Sequence, residues 1–470
     1  MRIGVFRNGW WKAACDAVGM ETLLLPIAEA ASGNPHDADL ASRQKIGPDV
    51  LGSSREQPVD LLLDNGAAGV SFVPAEAGAL RLTHEAAGVP LCSHFVDPVP
   101  TVFAGLGLNV AWPCLRSSTW IKAVWDRTLA RELSSLGVPA VMHLPMAAPN
   151  RPYCLEPLDP RDMRYPVSFV GAQNTSFFSA GQSFETRLLL PGTLIQGVLS
   201  DMPQASFFEV YHHLYRIGEP PYPTDDPVTQ VRKVTAYFNA KLFFNAAACI
   251  QRRDRFVIFL KHKLGDAFHL VGRGWDRAYG LSAQPPFPTA EEYVQNFRES
   301  AINVNLVNGN AETGLNMRHF EITAAGGFLL CYDQPELGDS FEIGRECAVF
   351  RNERELLEQI EHFLSHPEER AAIALAGQQR TLSEHLYSHR LRTLLGSLDI
   401  GRPAATLEPE SAPPGTRGLS EDGTTKPKTG VDPGWPCPSR SGRDADGGER
   451  AIHGAIRRGS DPLAGLSTTA

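Results

Sequence analysis

The feature that most limits the possible folds of this chain is a regular alternation of short apolar runs with helical patterns. The strand-like runs are RIGVF, VDLLLD, GVSFV, VPLCSHF, STWIKAVW and PAVMHLPM in the first half, and VSFVGAQ, FHLVGRGW, INVNLVNG, FLLCYDQ and CAVF in the second. Helical spacing lies between them, as in LARELSSLG and NMRHFEITAAG and in a long stretch from about Arg187 to Lys261. Strands separated by helices pair in parallel, because each helix carries the chain back across the sheet. The sequence therefore predicts an α/β fold of doubly wound parallel sheets.

Local composition divides the 470 residues into three parts. The segment RPYCLEPLDPRDMRYP, dense in proline and charge, interrupts the alternation. It predicts a first Rossmann-like domain over residues 1–160 and a second over 161–398. Beyond them, 21 of the 70 residues from Gly401 to Ala470 are glycine or proline. Such a segment has too little apolar surface to offset the entropy of ordering, so 399–470 is predicted to be a disordered tail.

Charge and hydropathy argue against several classes of partner. The formal net charge is -9, so electrostatics give no reason to expect nucleic acid as a ligand. No apolar run reaches the roughly 18 to 20 residues of a transmembrane segment. The first residues also lack the apolar core of a signal peptide. We therefore expect a cytoplasmic protein with no transmembrane segment.

Two glycine-containing loops follow strands of the second domain. Gly171 ends VSFVG, and Gly272 and Gly274 flank Arg273 in VGRGW. A glycine at such a position lets the backbone approach a diphosphate, although a tight turn alone would also explain it. The third glycine of the G-x-G-x-x-G motif is absent, so no NAD site is predicted. Gly171, Gly272 and Arg273 are candidates for binding a phosphate-containing ligand.

A run of polar residues precedes a predicted helix in the same domain. A helix beginning between Gly314 and Met317 would present free N–H groups to an anion. Arg318 would add a charge for a phosphate, and Glu321, one turn later, would accept hydrogen bonds from two ribose hydroxyls. The alternative is an i,i+3 ion pair of Arg318 and Glu321 on the surface. The run comprises Asn303, Asn305, Asn308, Asn310, Glu312, Gly314 and Asn316. From it we take Asn308 and Gly314 as candidate binding residues.

The first domain offers a candidate base. VPLCSHFVDP ends a predicted strand and places His94 and Asp97 at the cleft between the domains. A neutral imidazole or a carboxylate can take the proton of an attacking hydroxyl. The alternative is that His94 is a hydrogen-bonded residue at the end of the strand. His94 and Asp97 are the predicted catalytic residues.

The second half also resembles a known family. It contains GRGW at 272–275, N-x-x-x-G-x-N-M-R-x-F-E-x-x-A-x-G-G-F-L-L at 310–330, FEIGRE at 341–346, and then HPEERAAIALAGQQR and EHLYSHR. Through these motifs, residues 268–395 resemble the C-terminal domain of CgeB-like (spore maturation protein) glycosyltransferases, which are related to the family-1 and family-4 type enzymes of the GT-B fold. The resemblance implies two Rossmann-like domains facing a cleft, with the donor bound by the second. It implies that no metal ion is needed.

The sequence differs from the family motif at one position, and the resemblance implies an activity. It places Glu321 as the second glutamate of an E-x7-E motif, whereas position 313 is a threonine and the nearest acid is Glu312. The expected activity is transfer of a sugar from a nucleotide-diphosphate donor to a hydroxyl of an unknown glycan, lipid or protein acceptor, with no cofactor besides that donor. Two alternatives are a non-catalytic GT-B-like module that binds a glycan or nucleotide and a sugar-nucleotide epimerase of the same fold.

Overall fold

The computed structural model describes residues 1–6, 9–156, 158–173, 205–214 and 225–398. The predicted tail, 399–470, lies outside the described residues. The strands are β1 Arg2–Phe6, β2 Glu21–Leu25, β3 Leu61–Asn65, β4 Phe72–Pro74, β5 Leu80–Leu82, β6 Leu91–Phe95, β7 Trp120–Val124, β8 Val141–His143, β9 Tyr165–Val170, β10 Phe268–Val271, β11 Ser300–Asn305, β12 Leu329–Tyr332 and β13 Ala348–Phe350.

The α-helices follow the strands in chain order. They are α1 Gly9–Ala17, α2 Leu40–Glu56, α3 Thr83–Ala87, α4 Val99–Val102, α5 Leu108–Leu115, α6 Arg127–Ser135, α7 Phe207–Leu214, α8 Pro227–Cys249, α9 Arg255–Leu264, α10 Trp275–Tyr279, α11 Ala290–Glu299, α12 Met317–Ala324, α13 Glu353–Ser365, α14 Pro367–Glu384 and α15 Tyr387–Ser397. A π-helical turn, Ile250–Asp254, joins α8 to α9.

The first sheet has the strand order β2-β1-β3-β6-β7-β8, and all its neighbours are parallel. Every residue of β6 is buried, which explains the unbroken apolar character of LCSHF. On one face, Ile3 and Trp11 pack against Tyr387 and Leu391 of α15. The last helix of the second half therefore covers the first sheet.

The second sheet has the order β10-β9-β11-β12-β13 and is also parallel throughout. Its central strand β11 is buried at every position, including Asn303 and Asn305. Both Nδ2 groups are paired: Asn303 Nδ2 donates to the Phe297 carbonyl (2.9 Å) and Asn305 Nδ2 to Asn316 Oδ1 (3.0 Å). The predicted fold of two doubly wound parallel sheets facing a cleft is confirmed.

Two details of the predicted order are wrong. GVSFV contributes β4, which pairs antiparallel with β5 in a separate two-stranded sheet rather than joining the parallel sheet. The helical stretch expected from Arg187 to Lys261 lies partly outside the described residues, and its described part is broken into α7, α8, a π-helical turn and α9. Aromatic residues of α7 and α8, among them Phe207 and Phe244, pack into the core of the first domain. In the described part of the chain, no helix combines the length and the apolar character that crossing a membrane requires.

Candidate active site

Both sheets have a point where the strand order reverses, and open α/β sheets bind ligands at such points. In the second sheet it lies between β9 and β11, and in the first between β1 and β3. The loops that leave β9 and β11, residues 171–173 and 306–316, carry many of the predicted binding residues. The second loop faces the first domain, where Asn310 Nδ2 lies 3.4 Å from Asp97 Oδ1. The candidate active site is therefore the cleft between the two sheets.

The loops after β9 and β10 pack directly against each other. The Gly171 N–H donates to the Val271 carbonyl (2.9 Å), and the Gln173 N–H donates to the Arg273 carbonyl (2.8 Å). Gly272 has a φ of +142°, and a Cβ atom there would lie 2.2 Å from the Gly171 carbonyl oxygen. The loop contact therefore requires glycine at 272 whatever the loops bind. The Arg273 side chain is exposed.

Arg318 lies beside Gly171 and has an unpaired donor. A Cβ atom on Gly171 would lie 3.8 Å from Arg318 Nη1. The side chain of Arg318 is half-buried, and its Nε is buried with no hydrogen-bond partner among the described residues. Burial opposes the charge, but Tyr293 and Glu321 raise the pKa of Arg318 above its usual value. A half-buried guanidinium with an unused N–H is suited to an anionic group.

The helix that carries Arg318 begins where the sequence predicted. Its N-cap is Asn316, whose backbone is extended but whose side chain makes no capping hydrogen bond. Asn316 Oδ1 accepts from Asn305 Nδ2 instead. The start of α12 therefore adds the positive end of a helix dipole that no side chain of the cap neutralises.

Glu321 is 6% exposed and accepts a hydrogen bond of 2.5 Å from the Tyr293 hydroxyl. The alternative of a surface ion pair with Arg318 is wrong, because neither side chain is exposed. Tyr293 lies on α11, and the sequence analysis missed it. It lies close to both Arg318 and Glu321 and raises the pKa of Arg318.

Asn308 contacts a buried ion pair in the π-helical turn. Its Oδ1 accepts a hydrogen bond from Arg253 Nη1. Arg253 Nε also donates to Asp254 Oδ1 (3.1 Å), and Asp254 accepts from Gln173 Nε2 and the Tyr279 hydroxyl at 2.9 Å each. Both charged residues are buried, and Arg253 Nη2 has no partner. A π-turn of this kind is common at functional sites, and it brings a second cation to the cleft.

Gly314 has a role between the domains. The N–H groups of Glu312, Thr313 and Gly314 each donate to Asp126 Oδ2 at 2.8 Å. Asp126 caps α6 of the first domain through the Leu129 N–H. A Cβ atom on Gly314 would lie 3.0 Å from Asp126 Cα. Gly314 thus permits a close contact that joins the two domains.

Position 313, where the E-x7-E motif would have a glutamate, is a threonine, but the carboxylate of Glu336 lies next to it. Thr313 Oγ1 donates to Glu336 Oε1 at 2.6 Å, and Glu336 lies 3.1 Å from His143 Nε2. Burial alone would raise the pKa of Glu336, but hydrogen bonds from His143 and Thr313 lower it. Glu312 is occupied elsewhere, since its Oε1 accepts from Lys241 Nζ at 2.8 Å.

His94 is packed inside the first domain. Its ring is 0% exposed and lies 5.8 Å from the Trp11 ring and 5.9 Å from the Tyr387 ring. Nε2 donates to the Leu144 carbonyl (2.9 Å), so the bare nitrogen is Nδ1, which has no partner. Burial lowers the pKa of His94 to about 4, so the ring is neutral at pH 7. Its role as a base stays a prediction.

Asp97 borders a cavity of about 90 Å³ between the domains. The cavity is lined by Asp97, Pro98, Thr101, Gln173, Leu242, Asn245, Ala246, Cys249, Ile250, Asp254, Asn308, Gly309 and Asn310. Burial raises the pKa of Asp97 to about 6. His94 is not part of this lining, so the structure separates the two predicted catalytic residues.

The described residues bring one possible metal-binding group together. Donor atoms of His362, His366 and Glu369 lie within 4.8 Å of one another, but all three side chains are exposed. They lie at the turn between α13 and α14. This group is not part of the cleft lining, so the predicted sugar chemistry does not involve it.

Comparison with known protein families finds a match within the second half of the chain. Residues 252–396 match the family described as "Glycosyl transferase-like". The match covers less than half of the chain, and it includes the loop after β11, α12, Arg318 and Glu321. This part of the chain is glycosyltransferase-like in sequence. None of the curated proteins compared matches the chain significantly.

Solved structures of similar architecture have low identity to this chain. A sucrose-phosphate synthase from Thermosynechococcus elongatus is 10% identical, with a TM-score of 0.42 over 85% of this chain and 100% of the other. Anabaena HepE in complex with UDP and glucose is 13% identical, with a TM-score of 0.39 over 84% and 92%. A putative UDP-N-acetylglucosamine 2-epimerase from Listeria monocytogenes is 10% identical, with a TM-score of 0.35 over 86% and 99%. At these identities and TM-scores the structures carry no argument about function. The function is therefore proposed from the chain's own residues and the family match.

Proposed function

We propose that the chain is a metal-independent glycosyltransferase that moves a sugar from a nucleoside-diphosphate donor to an acceptor hydroxyl. The family match supports this because it includes both predicted donor side chains, Arg318 and Glu321. The observation that carries the proposal furthest is the buried, unpartnered Nε of Arg318 near the start of a helix without a side-chain cap. The Arg318 guanidinium and the positive end of the α12 dipole lie together in the cleft, and this combination suits a diphosphate.

In the proposed complex, the second domain holds the donor. The diphosphate lies against the start of α12 and Arg318, beside Gly171. Glu321 accepts hydrogen bonds from the ribose hydroxyls, and Tyr293 holds its carboxylate in place. Arg318 and the helix dipole stabilise the charge that develops on the leaving diphosphate, which is the task a metal ion performs elsewhere.

In the proposed reaction, Asp97 takes the proton of the acceptor hydroxyl. The hydroxyl oxygen bonds to the anomeric carbon while the bond from that carbon to the diphosphate oxygen breaks. The electron pair of the broken bond leaves with the nucleoside diphosphate. Asp97 suits this task because burial raises its pKa to about 6, so it is ionised at neutral pH and still basic enough to accept a proton.

A panel of UDP-, GDP-, dTDP- and ADP-sugars tests the proposal. The wild-type chain should release nucleoside diphosphate from at least one donor and transfer its sugar. Glu321→Gln should weaken donor binding about 10- to 100-fold, because it removes a charged acceptor worth about 1.5 to 3 kcal/mol. The matched control is Glu358→Gln, an exposed carboxylate paired with Arg354 at 2.8 Å, which should change nothing.

The other outcomes identify the rival functions. Saturable donor binding without turnover would indicate a non-catalytic binding module, which the threonine at position 313 favours. Conversion of the donor to an isomeric sugar nucleotide would indicate an epimerase. Unchanged donor affinity in Glu321→Gln would show that the donor does not bind at α12.

A further inference from the structure

The cavity beside Asp97 contains polar groups that no described residue of the protein satisfies. Asn245 of α8 is 8% exposed, and both its Nδ2 and its Oδ1 are buried without a hydrogen-bond partner. The hydroxyl of Thr101 on α4 is also buried and unpartnered. A buried polar group that nothing binds destabilises the folded protein, because it has lost its hydrogen bonds to water. A side chain that leaves two unpaired atoms in one cavity therefore points to a ligand.

The position of Asn245 is fixed by its backbone. A Cβ atom on Gly309 would lie 1.8 Å from the Asn245 carbonyl oxygen, so α8 and the loop after β11 are in direct backbone contact. This contact leaves no room for a side chain at 309. Asn245 therefore lies where α8 and the loop after β11 are in direct backbone contact.

The charge of the cavity wall selects among ligands. Two carboxylates, Asp97 and Asp254, border the cavity, and no lysine or arginine is among its described lining residues. Asp254 is paired with Arg253 behind the wall, whereas Asp97 has no cation beside it among the described residues, so Asp97 carries the unpaired charge of the cavity. An anionic ligand would be repelled there. Leu242, Ala246 and Ile250 add an apolar side, which suits the C–H face of a sugar or polyol ring.

We infer that this cavity binds a neutral, hydroxyl-rich acceptor, a sugar or polyol, through Asn245 and Thr101, with one of its hydroxyls directed at Asp97. Each hydroxyl donates and accepts a hydrogen bond, so two adjacent hydroxyls satisfy both atoms of the Asn245 amide. The acceptor role depends on the proposed transferase function, whereas the binding does not. In the transfer step, the hydroxyl beside Asp97 loses its proton to that carboxylate and gains the bond to the anomeric carbon, and nucleoside diphosphate leaves.

Direct binding tests this inference without a donor. D-glucose, myo-inositol and D-glucose 6-phosphate are titrated into the full chain, with ligand saturation-transfer NMR as the readout. The variants are Asn245→Leu and Thr101→Val, which keep the volume and remove the polar atoms. The control is Asn239→Leu, on the same helix but outside the lining. We expect saturable binding of a neutral probe to the wild type and the control, at least 10-fold weaker binding to Asn245→Leu, and weaker binding of the phosphorylated sugar than of glucose.

Thermal unfolding gives a second readout that does not depend on the choice of probe. Because the Asn245 amide has no partner, Asn245→Leu should leave the midpoint unchanged or raise it. A lower midpoint would show that the amide is structurally required and would overturn the inference. Three other results would also overturn the inference. They are equal probe binding by Asn245→Leu and wild type, no binding of either D-glucose or myo-inositol, and tighter binding of D-glucose 6-phosphate than of D-glucose. If the probes bind but no donor is turned over, only the proposed transferase function is overturned. If the donor is turned over and the KM for the acceptor is the same in Asn245→Leu as in the wild type, only this inference is overturned.

Discussion

Replacing Lys241 with methionine should destabilise the folded protein strongly, because Lys241 is a buried cation held between two buried carboxylates. Its side chain is 3% exposed, and those of Glu132 and Glu312 are 3% and 8% exposed. Nζ bonds to Glu132 Oε2 and lies 2.8 Å from Glu312 Oε1. Burial opposes the lysine charge, yet the two carboxylates raise the pKa of Lys241 above its usual value.

The expected size of the effect follows from the charges that remain. Removing one partner of a buried ion pair usually costs about 3 to 5 kcal/mol, since the other charge is left uncompensated. Burial already raises the pKa of Glu132 to about 7, and loss of Lys241 would raise it further. A group with a raised pKa in the folded state binds its proton more tightly there than in the unfolded chain, so it stabilises the fold at low pH. The difference between wild type and variant should therefore shrink as the pH falls from about 8 to 6.

Denaturant unfolding of both proteins at several pH values measures this difference. The matched control is Lys12→Met, which removes an exposed i,i+4 pair with Asp16 at 2.6 Å and should change stability by no more than about 0.5 kcal/mol. A loss in Lys241→Met below about 1 kcal/mol at pH 8 would refute the reasoning. So would a loss that grows as the pH falls.

Three further predictions concern the site and the chain end. Asp97→Asn should lower kcat/KM about 100- to 10,000-fold. The ionised carboxylate of Asp97, with a pKa of about 6, is the active form. The kcat/KM of the wild type should therefore rise with pH up to about that value and then level off. The kcat/KM of the variant should not show this pH dependence. Gly272→Ala should lower the thermal midpoint, since φ is +142° and the new Cβ would lie 2.2 Å from the Gly171 carbonyl oxygen; an unchanged midpoint would mean the loops separate easily. Truncation after Leu398 should leave the midpoint and nucleotide affinity unchanged, and a loss of either would show that 399–470 contributes to the fold.

The inner strands of the parallel sheets were predictable because burial on both faces produces unbroken apolar runs. The edge strand β2, in which Glu21 and Leu24 are exposed, was missed. LCSHF and SAINVN are buried at every position, and both were recognised as strands from these letters. GVSFV has the same apolar character, yet it pairs antiparallel in a hairpin. Composition reports burial but not the pairing partner, which is why this strand was placed in the wrong sheet. The packing of α8 on the first domain was missed for the same reason, since no local pattern encodes a tertiary partner.

The candidate binding residues could be selected from the sequence where a local rule applied to them. Gly171, Arg318 and Glu321 follow from the end of a strand and the start of a helix, and the family resemblance places Glu321 in a motif. Asp126 was not found, because its partner Gly314 is 188 residues away in the chain. One signal was present: an aspartate between the strand WIKAV and a helical pattern is a typical N-cap. That signal would have predicted a cap for α6, but not the three N–H groups of the other domain.

The contacts between the domains differ in kind, and this difference bears on how a donor enters. Asp126 and Lys241 join the domains by hydrogen bonds and ion pairs. Water can replace such bonds, and the net contribution of each is about 0.5 to 1.5 kcal/mol for a neutral pair and up to about 3 for a charged one. At α15, by contrast, Tyr387 and Leu391 are 0% exposed in an apolar core with strands of the first sheet, and separating them would expose that core to water. We therefore expect the polar side of the interface to separate first, with α15 remaining attached to the first domain as the hinge.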